Sequence, residues 1–148
     1  MGLATANKIY RGGYQNNAPE QLEFPMDATA AGAKPGSLVK LVAGKFVLAA
    51  TADASALAEL LVLNAPATFD IDYAYAADET GFAYVPKSGD VYAVRASAGV
   101  TGVVGARLIA DAAGTVKALA AETVISGYLA TALGAATDAG DLIDMRIA

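Results

Sequence analysis

Asp70, Asp72, Asp78 and Glu79 form the densest group of acidic side chains in the sequence. Calcium takes several carboxylate and carbonyl oxygens, and a glycosidase needs two carboxyl groups flanking the scissile bond. The spacing supports neither chemistry well. No alternating Asx loop with a glutamate at its twelfth position is present. Asp70 and Asp72 share one face of an extended segment, and such a face is ordinarily solvated. Asp138, Asp141 and Asp144 form a second acidic set. The first two sit in and after a turn, where aspartate bonds local backbone, and Asp144 alternates with Ile143 and Met145 as an outward residue does. The run Gly99-Val-Thr-Gly-Val-Val-Gly105 is as glycine-rich as a phosphate loop. It lacks the Gly-Lys-Ser/Thr ending and the Gly-x-Gly-x-x-Gly spacing, and no helical pattern follows to offer an N-terminus. Turn glycines at strand ends are the simpler reading. Tyr10, Tyr14, Tyr73, Tyr75, Tyr84, Tyr92 and Tyr128 could stack on sugars or bases. Four of them fall between 73 and 92, mostly at alternating positions that suit core or subunit packing.

The composition narrows the chemistry further. The 148 residues hold no Cys and no His, so disulfides, thiolate nucleophiles and imidazole bases or ligands are all missing. A Ser-His pair is excluded outright. Ten basic and fifteen acidic residues give a net charge of −5, a poor balance for a nucleic-acid partner. The hydrophobic share of 55% includes 36 alanines, so the core must be built from small residues with few bulky anchors. The longest uncharged stretch, Thr123 to Thr137, is 15 residues and contains two glycines. A membrane-spanning helix needs about 20 apolar residues. The first residues show no basic cluster followed by an apolar run, and Ala6 stands where a myristoylation motif needs Ser or Thr. These features lead to the expectation of a soluble chain with no membrane partner and no cofactor.

The elements that would position any site read as β. Residues 1–36 differ from the rest, with Gly12-Gly13, Asn16-Asn17, Pro19, Pro25 and Pro35-Gly36 breaking any period. Their apolar residues can pack along this subunit's own barrel, or form an arm that orders on a neighbouring chain. From Ser37 the pattern is regular: two short runs flank Ala43-Gly44 as a hairpin. One short helix is expected around 53–61, with Asp53 or Ser55 as its cap. Thr68 to Tyr75 alternates strictly and reads as a strand. Further strands are expected over 81–85, 90–96, 103–109, 115–119, 124–130 and 142–147. The expected fold is all-β: a small β-barrel or β-sandwich over 37–148 with an extended N-terminal arm over 1–36.

A longer order of signals runs through Pro35-Gly-Ser-Leu-Val-Lys-Leu41, Lys45-Phe-Val-Leu-Ala49 and Tyr84-Val-Pro-Lys-Ser-Gly-Asp-Val-Tyr-Ala-Val-Arg-Ala96. It continues through Gly105-Ala-Arg-Leu-Ile-Ala-Asp-Ala-Ala-Gly-Thr-Val116, Ile125-Ser-Gly-Tyr-Leu-Ala130 and Ala139-Gly-Asp-Leu-Ile-Asp-Met-Arg-Ile147. This order resembles the Ala/Gly-rich β proteins that decorate tailed-bacteriophage heads, also called cement or head-stabilisation proteins. The resemblance covers roughly residues 35 to 148.

It implies a structural protein and not an enzyme. Such a protein is made in the host cytoplasm and placed on the outer surface of the capsid in the virion. Its implied partners are the major capsid protein, whose subunits it bridges, and two further copies of itself in a homotrimer. Ile9, Tyr10, Arg11, Tyr14 and Phe24 would then be contacts of the arm with the capsid or a sister subunit. Removing residues 2–20 would be expected to leave a folded barrel. The alternatives are a tail, baseplate or head-fibre component, or a carbohydrate-binding adhesion module.

Overall fold

A computed structural model describes residues 9–12, 19–55, 59–66, 70–120 and 124–148, with side chains 54 and 55 left aside. The chain is all-β, with eleven strands in two antiparallel sheets among the described residues. The strands are β1 (Tyr10–Gly12), β2 (Gln21–Pro25), β3 (Leu38–Val42), β4 (Lys45–Leu48), β5 (Leu61–Leu63) and β6 (Thr80–Tyr84). They continue as β7 (Val91–Arg95), β8 (Arg107–Ala110), β9 (Val116–Ala118), β10 (Gly127–Leu129) and β11 (Leu142–Ile147). One sheet runs β1-β7-β11-β10-β8-β9 and the other β2-β6-β5-β3-β4. Each curls round: in the six-stranded sheet Ala96, just past β7, bridges Val116 on the marginal strand β9, and in the five-stranded sheet the margins approach at a bridge between Met26 and Phe46. Neither closes into a barrel.

Two cores follow from this arrangement. Leu61 and Leu63 on β5 join Val39, Phe46, Ala83 and Met26 inside the five-stranded sheet. Val62, between them, turns the other way and packs with Leu38, Tyr92, Val94, Leu108 and Met145. Period-2 alternation thus sends neighbouring residues of one three-residue strand into different cores. All three are buried, which is why Leu61-Val62-Leu63 reads as an unbroken apolar run.

The hairpin expected around Ala43-Gly44 forms, with β3 and β4 paired from Val42–Lys45 to Val39–Leu48. Both turn residues have positive φ, 51° and 76°, the backbone that a two-residue turn matching strand twist requires. The short helix, α1, spans Thr51–Ser55 and so starts before the expected 53–61, of which residues 56–58 lie outside the described ones. Asp53 reaches back to accept the Ala50 backbone N–H at 2.8 Å, as the acidic member of a capping box does.

Three expectations need correction. The strand expected over 68–75 is a loop from Asp70 onward, while Thr68 and Phe69 lie outside the described residues. Asp70 accepts the Asp72 N–H on its side chain at 2.9 Å, and that local bond bends the backbone out of any ladder. The strand expected from Val103 starts only at Arg107, because Val103 to Ala106 form a tight turn. The described part of residues 1–36 does not stand off as an arm. β1 pairs with β7 and β2 with β6, so this segment supplies one margin to each sheet. Its apolar side chains find their burial within this chain.

Candidate functional site

Four of the five residues expected to contact a capsid or sister subunit are turned inward. Ile9 is 1% exposed, and its carbonyl accepts the Ala93 N–H at 2.7 Å. The Tyr10 ring tilts against Tyr92 and Tyr84, with centroids 5.4 and 6.0 Å away. Arg11 pairs with Asp144 at 3.2 Å, and Phe24 sits edge-on to Phe46 at 5.7 Å. Tyr14 lies outside the described residues. Burial, and then the Asp90 carboxylate beside it, push the Tyr92 phenol well up from its ordinary range. These tyrosines are packing groups, as the alternating positions suggested.

The acidic group at 70–79 is dispersed over separate partners. Asp78 pairs with Lys45 at 2.9 Å, and Asp72 lies 3.6 Å from Arg95. Glu79 accepts the Tyr73 hydroxyl at 2.5 Å and the Ala76 N–H at 2.9 Å. Among the described residues, no three acidic side chains converge on a point that could hold a metal ion. Asp138 and Asp141 are local as expected, with Asp141 accepting the Asp138 N–H at 2.9 Å, while Asp144 pairs with Arg11 and accepts the Thr131 hydroxyl at 3.1 Å.

Arg95, at the end of β7, is the feature that sequence reasoning missed. Its side chain is buried, and its guanidinium donates to the carbonyls of Pro35 at 2.8 Å, Gly140 at 3.0 Å and Ile71. One planar group therefore ties loops from both sheets together, a task its rigid fork of donors suits. Desolvation pulls its pKa down, and Asp72 opposes that shift.

Beside it opens a cleft of about 380 Å³ at the seam of the two sheets. Lys34, Ser37, Leu48, Arg95, Thr115 and Asp141 line it, and alanines and glycines form much of the remaining wall. Adjacent to the cleft, Ser97 donates to Asp111 at 2.6 Å and lies 2.8 Å from the Thr115 hydroxyl. Lys117 approaches Asp111 at 3.9 Å. A serine, a carboxylate and a lysine are the parts of a nucleophilic centre. The Ser97 bond, however, holds the Asp111 carboxyl below its ordinary range and makes it a poor proton acceptor. This cluster is better suited to fixing the turn before β9.

Among the described residues, the most exposed large apolar side chains are Val103 and Val104, at 73% and 57%. Ala106 N–H bonds Val103 C=O at 3.0 Å, and Gly105 takes φ +93°, so the two valines sit on a type II turn. The turn is held at its base. Gly105 N–H bonds Leu129 C=O at 2.8 Å, Leu129 N–H bonds Ala106 C=O at 2.8 Å, and Leu133 N–H bonds Gly102 C=O at 3.2 Å. Residues 97–106 and 129–137, which those bonds join, contain no charged side chain, and Arg107 follows directly. The valine signal was present in the sequence as a glycine-flanked pair. No protein-family model matches the chain, and no curated protein matches it.

Proposed function

We propose that this chain is a structural virion protein that binds the outside of a phage capsid and stabilises it by bridging major capsid subunits, acting as a homotrimer. The resemblance over residues 35–148 suggests the reading. The observation that carries it best is the Val103–Val104 turn, an exposed apolar pair on a backbone anchored at its base. Turn positions ordinarily carry polar residues, and a pair of exposed valines suits docking into another protein.

The energetics favour several copies acting together. Full burial of one valine contributes about 1.5–3 kcal/mol, against an association cost of roughly 4–15 kcal/mol. One turn alone would bind a shell weakly. Three turns on a trimer raise the effective concentration of each after the first has docked. A subunit so held resists separation of the capsid subunits it spans.

Co-sedimentation of the purified chain with expanded heads of the encoding virus or prophage tests this reading. The expected result is saturable binding at a fixed ratio to the major capsid protein. Val104→Asp is expected to lose that binding with an unchanged melting temperature. A folded wild-type chain that fails to bind heads overturns the reading. If Val104→Asp binds as well as wild type, the turn is not the contact.

A further inference from the structure

The cleft at the seam gathers hydrogen-bond donors that the fold does not use. Ser37 is 6% exposed, and its hydroxyl has no hydrogen-bond partner among the described residues. The hydroxyl is not sealed from solvent, so it is open to a molecule that enters the cleft. Neither the Lys34 ammonium nor its backbone N–H has a partner among the described residues either. Arg95 has five N–H groups and spends three on the carbonyls of Pro35, Gly140 and Ile71, with Asp72 3.6 Å from its Nη2. Against these donors the lining offers one carboxylate, Asp141, with one oxygen already taken by Asp138 N–H.

We infer that the cleft between the two sheets binds a single carboxylate group, with Ser37, Lys34 and Arg95 as its donors. Asp72 counters Arg95 from outside the lining, so the Lys34 ammonium, which no carboxylate pairs among the described residues, is the cation left to meet a carboxylate. The Ala, Gly and Leu48 walls suit the short aliphatic stem of an acidic side chain or a chain terminus. A volume of about 380 Å³ lies at the small end of the range for ligand pockets, roughly 300–1,000 Å³. It leaves room for the residues beside the carboxylate. This inference does not depend on the virion reading.

The test is titration of the full-length, isotope-labelled chain with acetyl-Asp-Ala-amide, followed by amide NMR shifts. Saturable shifts confined to the cleft, at Lys34, Ser37 and Gly140, are expected in the millimolar range. The Asn counterpart, without the charge, is expected to bind at least about tenfold more weakly, as is wild-type peptide to Ser37→Ala. Ser37→Ala removes one atom, and an unchanged spectrum elsewhere shows that it remains folded. Acetate identifies the source: shifts equal to the peptide's mark a small-carboxylate site, and weaker ones a peptide site. Equal binding of the Asn peptide, tighter binding of inorganic phosphate, or undiminished binding to Ser37→Ala would overturn the inference.

Discussion

Arg95 and Asp72 face each other at 3.6 Å with very unequal burial: their side chains are 10% and 73% exposed. The arginine is held chiefly by carbonyl oxygens, and the aspartate is an outer counter-charge open to water. The two halves of this pair should therefore respond differently to mutation. Arg95→Met strands the Pro35, Gly140 and Ile71 carbonyls and is expected to cost about 3 kcal/mol or more. Asp72→Asn is expected to cost less than about 1 kcal/mol. Urea denaturation of both variants measures this, and equal losses would mean that the ion pair itself carries the stability.

Ala43 adopts φ 51° in the hairpin turn, a conformation that costs an L-residue with a Cβ roughly 1 kcal/mol. Ala43→Gly or Ala43→Asn is expected to raise stability by about 0.5–1 kcal/mol, read as a higher denaturation midpoint at unchanged slope. A lower midpoint for both variants would show that the turn is not strained.

The N-terminal strand carries a further consequence. Ile9 fills the larger core and its carbonyl bonds β7, so Ile9→Ala is expected to cost about 2–5 kcal/mol. Removing residues 2–20 also deletes β1, and should destabilise the chain at least as much. The folded truncated barrel expected from sequence texture should not survive intact. Denaturation midpoints of the two proteins, compared with wild type, check this. An unchanged midpoint in the truncated chain would mean that β1 contributes nothing.

Acid should weaken two bonded aspartates. The Asp53 carboxyl is held low by the Lys40 ammonium at 2.5 Å, and by the Ala50 N–H. Asp111 is held low chiefly by the Ser97 hydroxyl. A carboxylate with a lowered folded-state pKa binds fewer protons when folded than when unfolded. Its stabilisation is therefore complete above the ordinary Asp range near about 4 and is lost as pH falls through the folded value. Asp53→Asn and Asp111→Asn should each flatten the fall in stability below about pH 4. Thermal melts across that range measure it, and a slope identical to wild type would remove these groups as its cause.

Local chemistry explains which elements were legible. The Ala43-Gly44 hairpin and the Pro86-Lys-Ser-Gly89 turn were readable because their residues dictate backbone within a few positions. The strand expected over 68–75 failed for an equally local reason. Ile71, Tyr73 and Tyr75 alternate, yet the Asp70 side chain satisfies the backbone N–H at Asp72 and turns the chain. Tyr75 is buried all the same, its hydroxyl donating to Asn64 C=O at 2.9 Å. Valine's β propensity made Val103-Val104 look like a strand start, when Gly105 had already fixed a turn. The cleft had no local signature. Lys34, Ser37, Arg95, Thr115 and Asp141 meet only because strand order brings the ends of distant segments together.

That strand order also governs how the chain emerges from the ribosome. β7 waits between β1, made long before it, and β11, made some fifty residues after it by sequence number. The six-stranded sheet has its central strand at residues 142–147, so nascent chains short of that point hold β7 and β10 with an unfilled gap between them. The facing main-chain donors and acceptors of β7 stay open from its synthesis until β11 is made, the state in which β proteins associate wrongly. Rapid completion of synthesis, or a chaperone that covers the gap, should therefore matter more to the yield of this protein than its final stability does.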